Sequence, residues 1–205
     1  MAKLIAGLDI GNGYVKGSTG VLDTNTVSNI DIPSGIAYLT STHDMKTPVD
    51  EIPGVIADIY NNMDVSFESP LVVDQNGMPD QNRRIFGTRG IQSGNVVEEF
   101  DVYSSVSKSN QELSFMLTFG CLAGCALQDY WNHNKKLPTE PIKVDVEVLA
   151  LALPITEYKK YRQQYAEGYK VGTHIVTFHN FDTPVYVELK IKNVQVIAEA
   201  PSAIT

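Results

Sequence analysis

The sequence has few cysteines and no long hydrophobic run. Its 205 residues include two cysteines, Cys121 and Cys125, which is too few for a disulfide-stabilised scaffold, so we expect a protein of the cytoplasm. No uninterrupted apolar stretch reaches the roughly 18 residues that a membrane-crossing helix needs. The first acidic residue, Asp9, comes too early for the apolar core of a signal peptide. The sequence therefore predicts no membrane partner.

Positive charge is also in short supply. The chain has 16 Lys and Arg residues against 24 Asp and Glu residues, which gives a net charge of -8. Proteins that bind DNA or RNA directly gain affinity from Lys and Arg side chains that neutralise phosphates, so we expect no direct nucleic-acid partner. The 43% of hydrophobic residues is typical of a globular protein, with room for one sizeable domain or two lobes that share a sheet.

The first 16 residues contain the sharpest motif. Residues 4–10 are an apolar run, as expected of a strand buried on both faces. The Gly-Asn-Gly sequence at 11–13 predicts a tight turn, and residues 14–19 return to an extended pattern. The motif reads Asp9-x-Gly11-Asn12-Gly13-x-x-Lys16.

This motif suits a phosphate site. Glycines let backbone N–H groups approach phosphate oxygens closely, and Lys16 adds a positive charge to the same phosphates. Asp9, at the end of a strand, can hold Mg²⁺ directly or through its waters. An ordinary hairpin turn explains the same spacing, because Asn-Gly is common in such turns.

Downstream, helix and strand patterns alternate. We interpret residues 27–94, which are irregular and contain several prolines, as a small, partly β subdomain inserted into the main domain. A helix with one apolar stripe is predicted from Ser109, as N-cap of a capping box with Glu112, to about Asn134. A shorter helix is capped by Thr156. Strands are predicted over 144–153, 173–178, 185–191 and 194–198. Together these elements indicate an α/β fold with a mixed β-sheet flanked by helices.

The glycine motif resembles the first phosphate loop of actin, sugar kinases and heat-shock ATPases. In actin-like members this loop joins the first two strands and reads Asp-x-Gly-x-Gly-x-x-Lys. Residues 7–16 are most similar to the bacterial plasmid-segregation actins of the ParM/StbA group. Three later stretches resemble family landmarks in the same order: 84–87, 151–156 (with Ala152 where glycine is usual) and 194–203, which corresponds to the strand and turn with the catalytic acid or amide.

The resemblance implies an actin-like (ribonuclease H-like) lobe and a nucleotide, ATP or GTP with Mg²⁺, in a cleft between two lobes. It implies that Asp9 organises the metal and takes part in catalysis, and that Glu199 orients or deprotonates the attacking water. The implied nucleotide-binding residues are Asp9, Gly11, Asn12, Gly13, Tyr14 and Lys16. Without the resemblance, Glu199 reads as an exposed acid in a loop.

The resemblance also implies that the second phosphate loop and the adenosine-binding segments follow Glu199. We therefore expect residues 1–205 to be the N-terminal lobe of a longer actin-like ATPase, inactive by itself, with the C-terminal lobe absent from this chain. The expected function is a nucleotide-dependent filament that segregates a plasmid, with copies of itself and a DNA-bound adaptor protein as partners. A small-molecule kinase of the same fold, or a non-enzymatic interaction module, remains an alternative.

Overall fold

The computed structural model describes residues 1–39, 46–74 and 76–199. In chain order the strands are β1 (Ala2–Ile10), β2 (Tyr14–Val21), β3 (Thr26–Pro33), β4 (Ile36–Tyr38), β5 (Asp64–Glu68), β6 (Arg84–Ile85), β7 (Val97–Glu98), β8 (Ile142–Leu153), β9 (His174–Phe178), β10 (Val185–Ile191) and β11 (Val194–Ala198). The helices are α1 (Ile52–Ala57), α2 (Ile59–Asn62), α3 (Gly87–Gln92), α4 (Glu112–Asn134) and α5 (Ile155–Tyr169).

All of these strands belong to one mixed sheet, which confirms the predicted α/β class. Its order is β3-β2-β1-β8-β10-β9-β5-β6-β4-β7, and β11 pairs separately with β8. The hairpin of β1 and β2 and the strands β8 to β11 lie where the sequence predicted them, within one or two residues. Strand β8 is central because β1 runs parallel along one of its edges, and β10 and β11 run parallel along the other.

The second edge of β8 is shared by two strands in succession. Strand β10 pairs with the first half of β8 and β11 with the second half. Lys192 and Asn193 join them. The Lys192 ammonium group lies 2.7 Å from the Asp145 carboxylate and 2.8 Å from the Glu147 carboxylate. The side-chain amide of Asn193 donates to the backbone oxygen of Glu147 at 2.9 Å. This junction lets β10 continue towards β9 while β11 runs alongside the end of β8.

Burial of β1 on both faces was a wrong expectation. Leu4, Ala6, Leu8 and Ile10 are buried, whereas the residues between them are exposed. The reason is that α4 packs against one face of β1 only. On the opposite face Ile5 is 40% exposed and contributes to a shallow apolar concavity of about 510 Å³, lined by Ile5, Ala6, Gly7, Ser18, Thr19, Gly20, Val27 and Val148.

Helix α4 confirms the predicted helix, with two corrections. It begins at Glu112 rather than Ser109, and its N-cap residue, Gln111, makes no side-chain capping bond. Glu112 accepts a hydrogen bond from the amide of Val73 instead of closing a capping box. The predicted single apolar stripe is also wrong, because every residue from 113 to 127 is buried. No helix in the described ranges is long and apolar enough to cross a membrane.

The cap of α5 and the elements within residues 27–94 also differ from the predictions. Thr156 caps nothing, since α5 begins at Ile155 directly after Pro154 and without a side-chain cap. Ser69 and Val73 form isolated bridges with Val72 and Pro79, and α1, α2 and α3 were not predicted. Within 27–94, β3 joins the β1–β2 meander and β5 pairs with β9. The interpretation of residues 27–94 as an inserted subdomain stays a prediction.

Candidate functional site

Two predicted catalytic acids lie at the carboxyl ends of two strands that run parallel to β8 on its opposite edges. Asp9 is the next-to-last residue of β1, and Glu199 directly follows β11. The amide of Glu199 donates to the backbone oxygen of Leu153 at 2.8 Å, which fixes it beside the end of β8. Ligands of α/β sheets bind beyond the carboxyl ends of the strands. The sheet therefore places both carboxylates at the edge where a ligand is expected.

Both acids line one open cleft of about 340 Å³. One side, here called the strand-end wall, consists of Asp9, Gly11, Asn12 and Glu199. The opposite side, here called the loop wall, is the connection over residues 100–111 between β7 and α4. Pro154 and Glu157, at the start of α5, complete the lining. The loop-wall residues that line the cleft are Phe100, Asp101, Val102, Ser104, Val106, Ser107, Lys108 and Gln111.

The glycine turn is a hairpin connection held by Ser34. The amide of Gly11 donates to the backbone oxygen of Tyr14 at 2.9 Å, and a Cβ at Gly11 would lie only 2.6 Å from that oxygen. The Ser34 hydroxyl donates to the Gly11 carbonyl at 2.6 Å. Neither Asn12 nor Gly13 has a positive φ, so this is not the type I′ turn that an Asn-Gly pair usually forms.

Two backbone donors of this turn are left without partners. Among the described residues, the amide N–H groups of Asn12 and Gly13 have no hydrogen-bond acceptor. A Cβ at Gly13 would meet nothing within 4 Å, so the protein itself does not require glycine there. Successive free amides are the arrangement that binds anions. The turn therefore fits phosphate oxygens that approach the backbone from outside.

Tyr14 and Lys16 lie beside the cleft and not in its lining. Lys16 is the cross-strand partner of Asp9 on β1 and of Asp31 on β3. Its ammonium group lies 6.0 Å from the centre of the exposed Tyr14 ring. The structure thus brings Asp9, Gly11, Asn12 and Glu199 together in one cleft, and it places Gly13, Tyr14 and Lys16 next to them.

Sequence reasoning missed the residue that holds the loop wall. The two carboxylate oxygens of Glu157 accept hydrogen bonds from the amides of Lys108, at 3.1 Å, and Ser109, at 3.0 Å. These amides belong to the short 3-10 turn Lys108–Asn110 that precedes α4. No local pattern indicates this contact, because the partners are separated by 48 and 49 positions in the chain.

Sequence reasoning also missed Lys108. Its ammonium group lies 5.4 Å from the centre of the Phe100 ring, within the range of a cation–π interaction. Burial lowers the pKa of Lys108, while Glu199, Asp9 and Glu157 raise it. Burial raises the pKa of Glu199, an effect that Lys108 opposes and that Asp9 and Glu157 strengthen. The cleft is therefore an electrostatically coupled group of three carboxylates and one lysine.

The carboxylates fit Mg²⁺ in the way that nucleotide-binding proteins hold it. Among the described residues, no group of three or more His, Cys, Asp or Glu side chains could hold a metal alone. Magnesium usually keeps several waters and takes one or two carboxylates together with substrate phosphates. Asp9, beside the free amides of the glycine turn, fits that partial role.

The strand order and this cleft indicate an actin-like lobe as the class of fold. Residues 7–201 match the family of actin-like proteins N-terminal domains, and the chain belongs to this family. No curated protein matches the chain.

Solved structures agree on the fold. A 15-stranded ParM filament from Clostridium botulinum is 18% identical, with a TM-score of 0.58 over 100% of this chain and 50% of that one. The actin-like protein Alp7A is 16% identical, with a TM-score of 0.57 over 96% and 44%. The archaeal actin homolog Ta0583, solved in complex with ADP, is 14% identical, with a TM-score of 0.54 over 97% and 44%. The chain spans about half the length of these proteins, and the likeness shows the fold alone.

Proposed function

We propose that this chain is the N-terminal lobe of an actin-like ATPase that assembles into filaments and segregates a plasmid. The observation that carries the proposal is that Asp9, Asn12 and Glu199 line one cleft, with the two unpaired amides of Asn12 and Gly13 at its edge. A C-terminal lobe completes the nucleotide cleft. The protein acts in the cytoplasm.

In this mechanism the chain positions the phosphates and the water. The amides of the glycine turn and the ammonium group of Lys16 bind the β- and γ-phosphates of ATP or GTP, with Tyr14 beside them. Asp9 would hold Mg²⁺, which would neutralise phosphate charge. Glu199 orients the attacking water and accepts its proton, which is the kind of positioning that phosphoryl transfer requires.

The filament and plasmid parts of the proposal rest on the structural neighbours. The ParM filament and Alp7A share this fold over nearly the whole chain. The net charge of -8 disfavours direct contact with DNA, so a separate DNA-bound adaptor protein links the filament to its plasmid. Protomer contacts come partly from the interval 27–94.

The test is nucleotide-driven assembly of the intact gene product. Light scattering and phosphate release are followed after addition of magnesium and ATP or, in parallel, GTP, to the wild type, to Asp9→Ala and to Asp182→Ala. Asp182 is an exposed acid in the loop after β9 and serves as the matched control. We expect scattering to rise for the wild type and the control and to stay flat for Asp9→Ala.

Other outcomes separate the alternatives. Phosphate release without scattering, together with transfer of labelled phosphate to a metabolite, would favour a small-molecule kinase. If Asp9→Ala assembles as the wild type does, the glycine turn is structural and an interaction module is the better description.

A further inference from the structure

The loop wall presents one cation to a cleft that is otherwise acidic. Four carboxylate side chains line the cleft, from Asp9, Asp101, Glu157 and Glu199. Among the described lining residues, Lys108 is the only one with a positive charge. A nucleotide triphosphate brings further negative charge, so a site of this composition needs a cation on each side that the phosphates touch.

Two backbone amides of this wall are not free to bind an anion. The amides of Lys108 and Ser109 belong to the turn just before α4. Anions often bind to free amides at the start of a helix, but these two already donate to the carboxylate of Glu157. At Lys108 and Ser109, a contact from the loop wall to a phosphate must therefore come from a side chain. Lys108 is the cationic side chain in that position.

Lys108 lines the cleft in the electrostatic field of the acids around it. Its ammonium group also contacts the ring of Phe100, at 5.4 Å from the ring centre. Across the part of the chain that the structure describes, Lys108 forms no ion pair. The group is oriented by the aromatic ring and remains available for a ligand.

We propose that Lys108 is a second phosphate-binding cation, which contacts the terminal phosphate of the nucleotide from the wall opposite the glycine turn. This inference rests on the proposed function, since it assumes that the cleft binds a nucleotide. The terminal phosphate is the one concerned because Lys108 lines the same cleft as Glu199, and the Glu199 carboxylate faces the attacking water in the proposed mechanism. Lys16 serves the phosphates from the other side.

The experiment measures equilibrium binding of magnesium–ATP and magnesium–ADP to the intact gene product. The variants are Lys108→Met, which keeps the length of the stem, Lys108→Arg, which keeps the charge, and Lys160→Met as control. Lys160 is an exposed lysine on α5 that does not line the cleft. Lys108→Met retains both amide bonds to Glu157, and Lys108→Gln replaces it if the methionine variant does not fold.

We expect Lys108→Met to weaken ATP binding by roughly tenfold to a hundredfold, as for loss of a charged hydrogen bond. ADP binding should change by less than threefold, Lys108→Arg should recover most of the ATP affinity, and Lys160→Met should match the wild type. If Lys108→Met binds ATP as the wild type does, the inference is overturned while the proposed function stands. Equal losses for ATP and ADP also overturn the assignment to the terminal phosphate. If the wild type binds neither nucleotide, both proposals fall.

Discussion

The two walls of the cleft are built by different kinds of contact. The strand-end wall is part of the central sheet: Asp9 and Glu199 are positioned by backbone pairing of β1 and β11 with β8, and apolar residues such as Leu8 anchor it beneath. The loop wall has no strand. Side-chain hydrogen bonds hold it in place. Glu157, from α5, accepts from two of its amides, and within the wall the Gln111 side chain bonds to the backbone amide and carbonyl of Asp101.

This difference separates the stability of the fold from the shape of the site. Changing the strand-end wall means changing the sheet, so it lowers the free energy of unfolding of the whole molecule. Opening the loop wall breaks only a few side-chain hydrogen bonds. The wall can therefore open locally while the sheet stays folded. The following variants test this contrast, from the largest expected effect to the smallest.

Leu8→Ala should destabilise the whole fold. Leu8 is 3% exposed, and truncation of a buried leucine costs about 2–5 kcal/mol because it removes apolar contacts and leaves a cavity. Denaturant unfolding, followed by circular dichroism, measures the loss. Leu22→Ala is the control, since Leu22 is 47% exposed. Equal effects of the two variants would contradict the role of the sheet core beneath the cleft.

Glu157→Gln should release the loop wall without unfolding the sheet. The glutamine amide has one acceptor oxygen in place of two, so one amide loses its partner at a local cost of about 1–3 kcal/mol. We expect faster hydrogen exchange at the amides of Lys108 and Ser109, with little change at β1 and β8. Glu167→Gln, at an exposed acid paired with Lys170 on α5, is the control. A uniform rise of exchange across the sheet would break the contrast between the walls.

Ser34→Ala should loosen the glycine turn while leaving the loop wall unchanged. The variant removes the hydrogen bond from the Ser34 hydroxyl to the Gly11 carbonyl, for about 0.5–1.5 kcal/mol of stability. The measurements are the free energy of unfolding and amide exchange at Gly11 and Ser34, whose N–H groups donate to the backbone oxygens of Tyr14 and Gly13. Ser18→Ala, which removes an exposed bond to Asn29, is the matched change. The two variants should differ at the turn, and identical exchange profiles would show that Ser34 does not hold it.

The smallest effect concerns the charge of Glu199. Burial raises its pKa above the ordinary value of 4.5, so the native state holds the proton more tightly than the unfolded chain does. The stabilising contribution is complete below that ordinary value and is lost as the pH rises through the raised pKa. Glu199→Gln removes this dependence. We therefore expect the variant to gain stability relative to the wild type as the pH rises from 4 to about 7, and a constant difference would refute the shift.

The sequence predicted what depends on local pattern. The hairpin of β1 and β2, the long helix and the four later strands follow from apolar periodicity and turn residues close in the chain. The location of Asp9 beside the glycine turn follows for the same reason. Glu199 came only from the resemblance, since nothing in its own surroundings distinguishes it from a loop acid.

What could not be predicted depends on contacts between distant residues. Glu157 holds the loop wall from another element, so the helix start shifted from Ser109 to Glu112 and the capping box did not form. The one-sided burial of β1 is likewise decided by where α4 packs. Lys108 could not be predicted as a site residue, because its place in the site depends on acids that are distant in the sequence and not on its sequence neighbours.

The open apolar concavity on the far side of β1 has a practical consequence for the assembly assay. On this surface Ile5 is 40% exposed and Val27 is 68% exposed. Exposed apolar patches drive association without any nucleotide, so the surface promotes aggregation at high protein concentration. A scattering signal is therefore informative only above a nucleotide-free baseline recorded at the same concentration. Ile5→Thr should lower that baseline and leave the nucleotide-dependent increment unchanged.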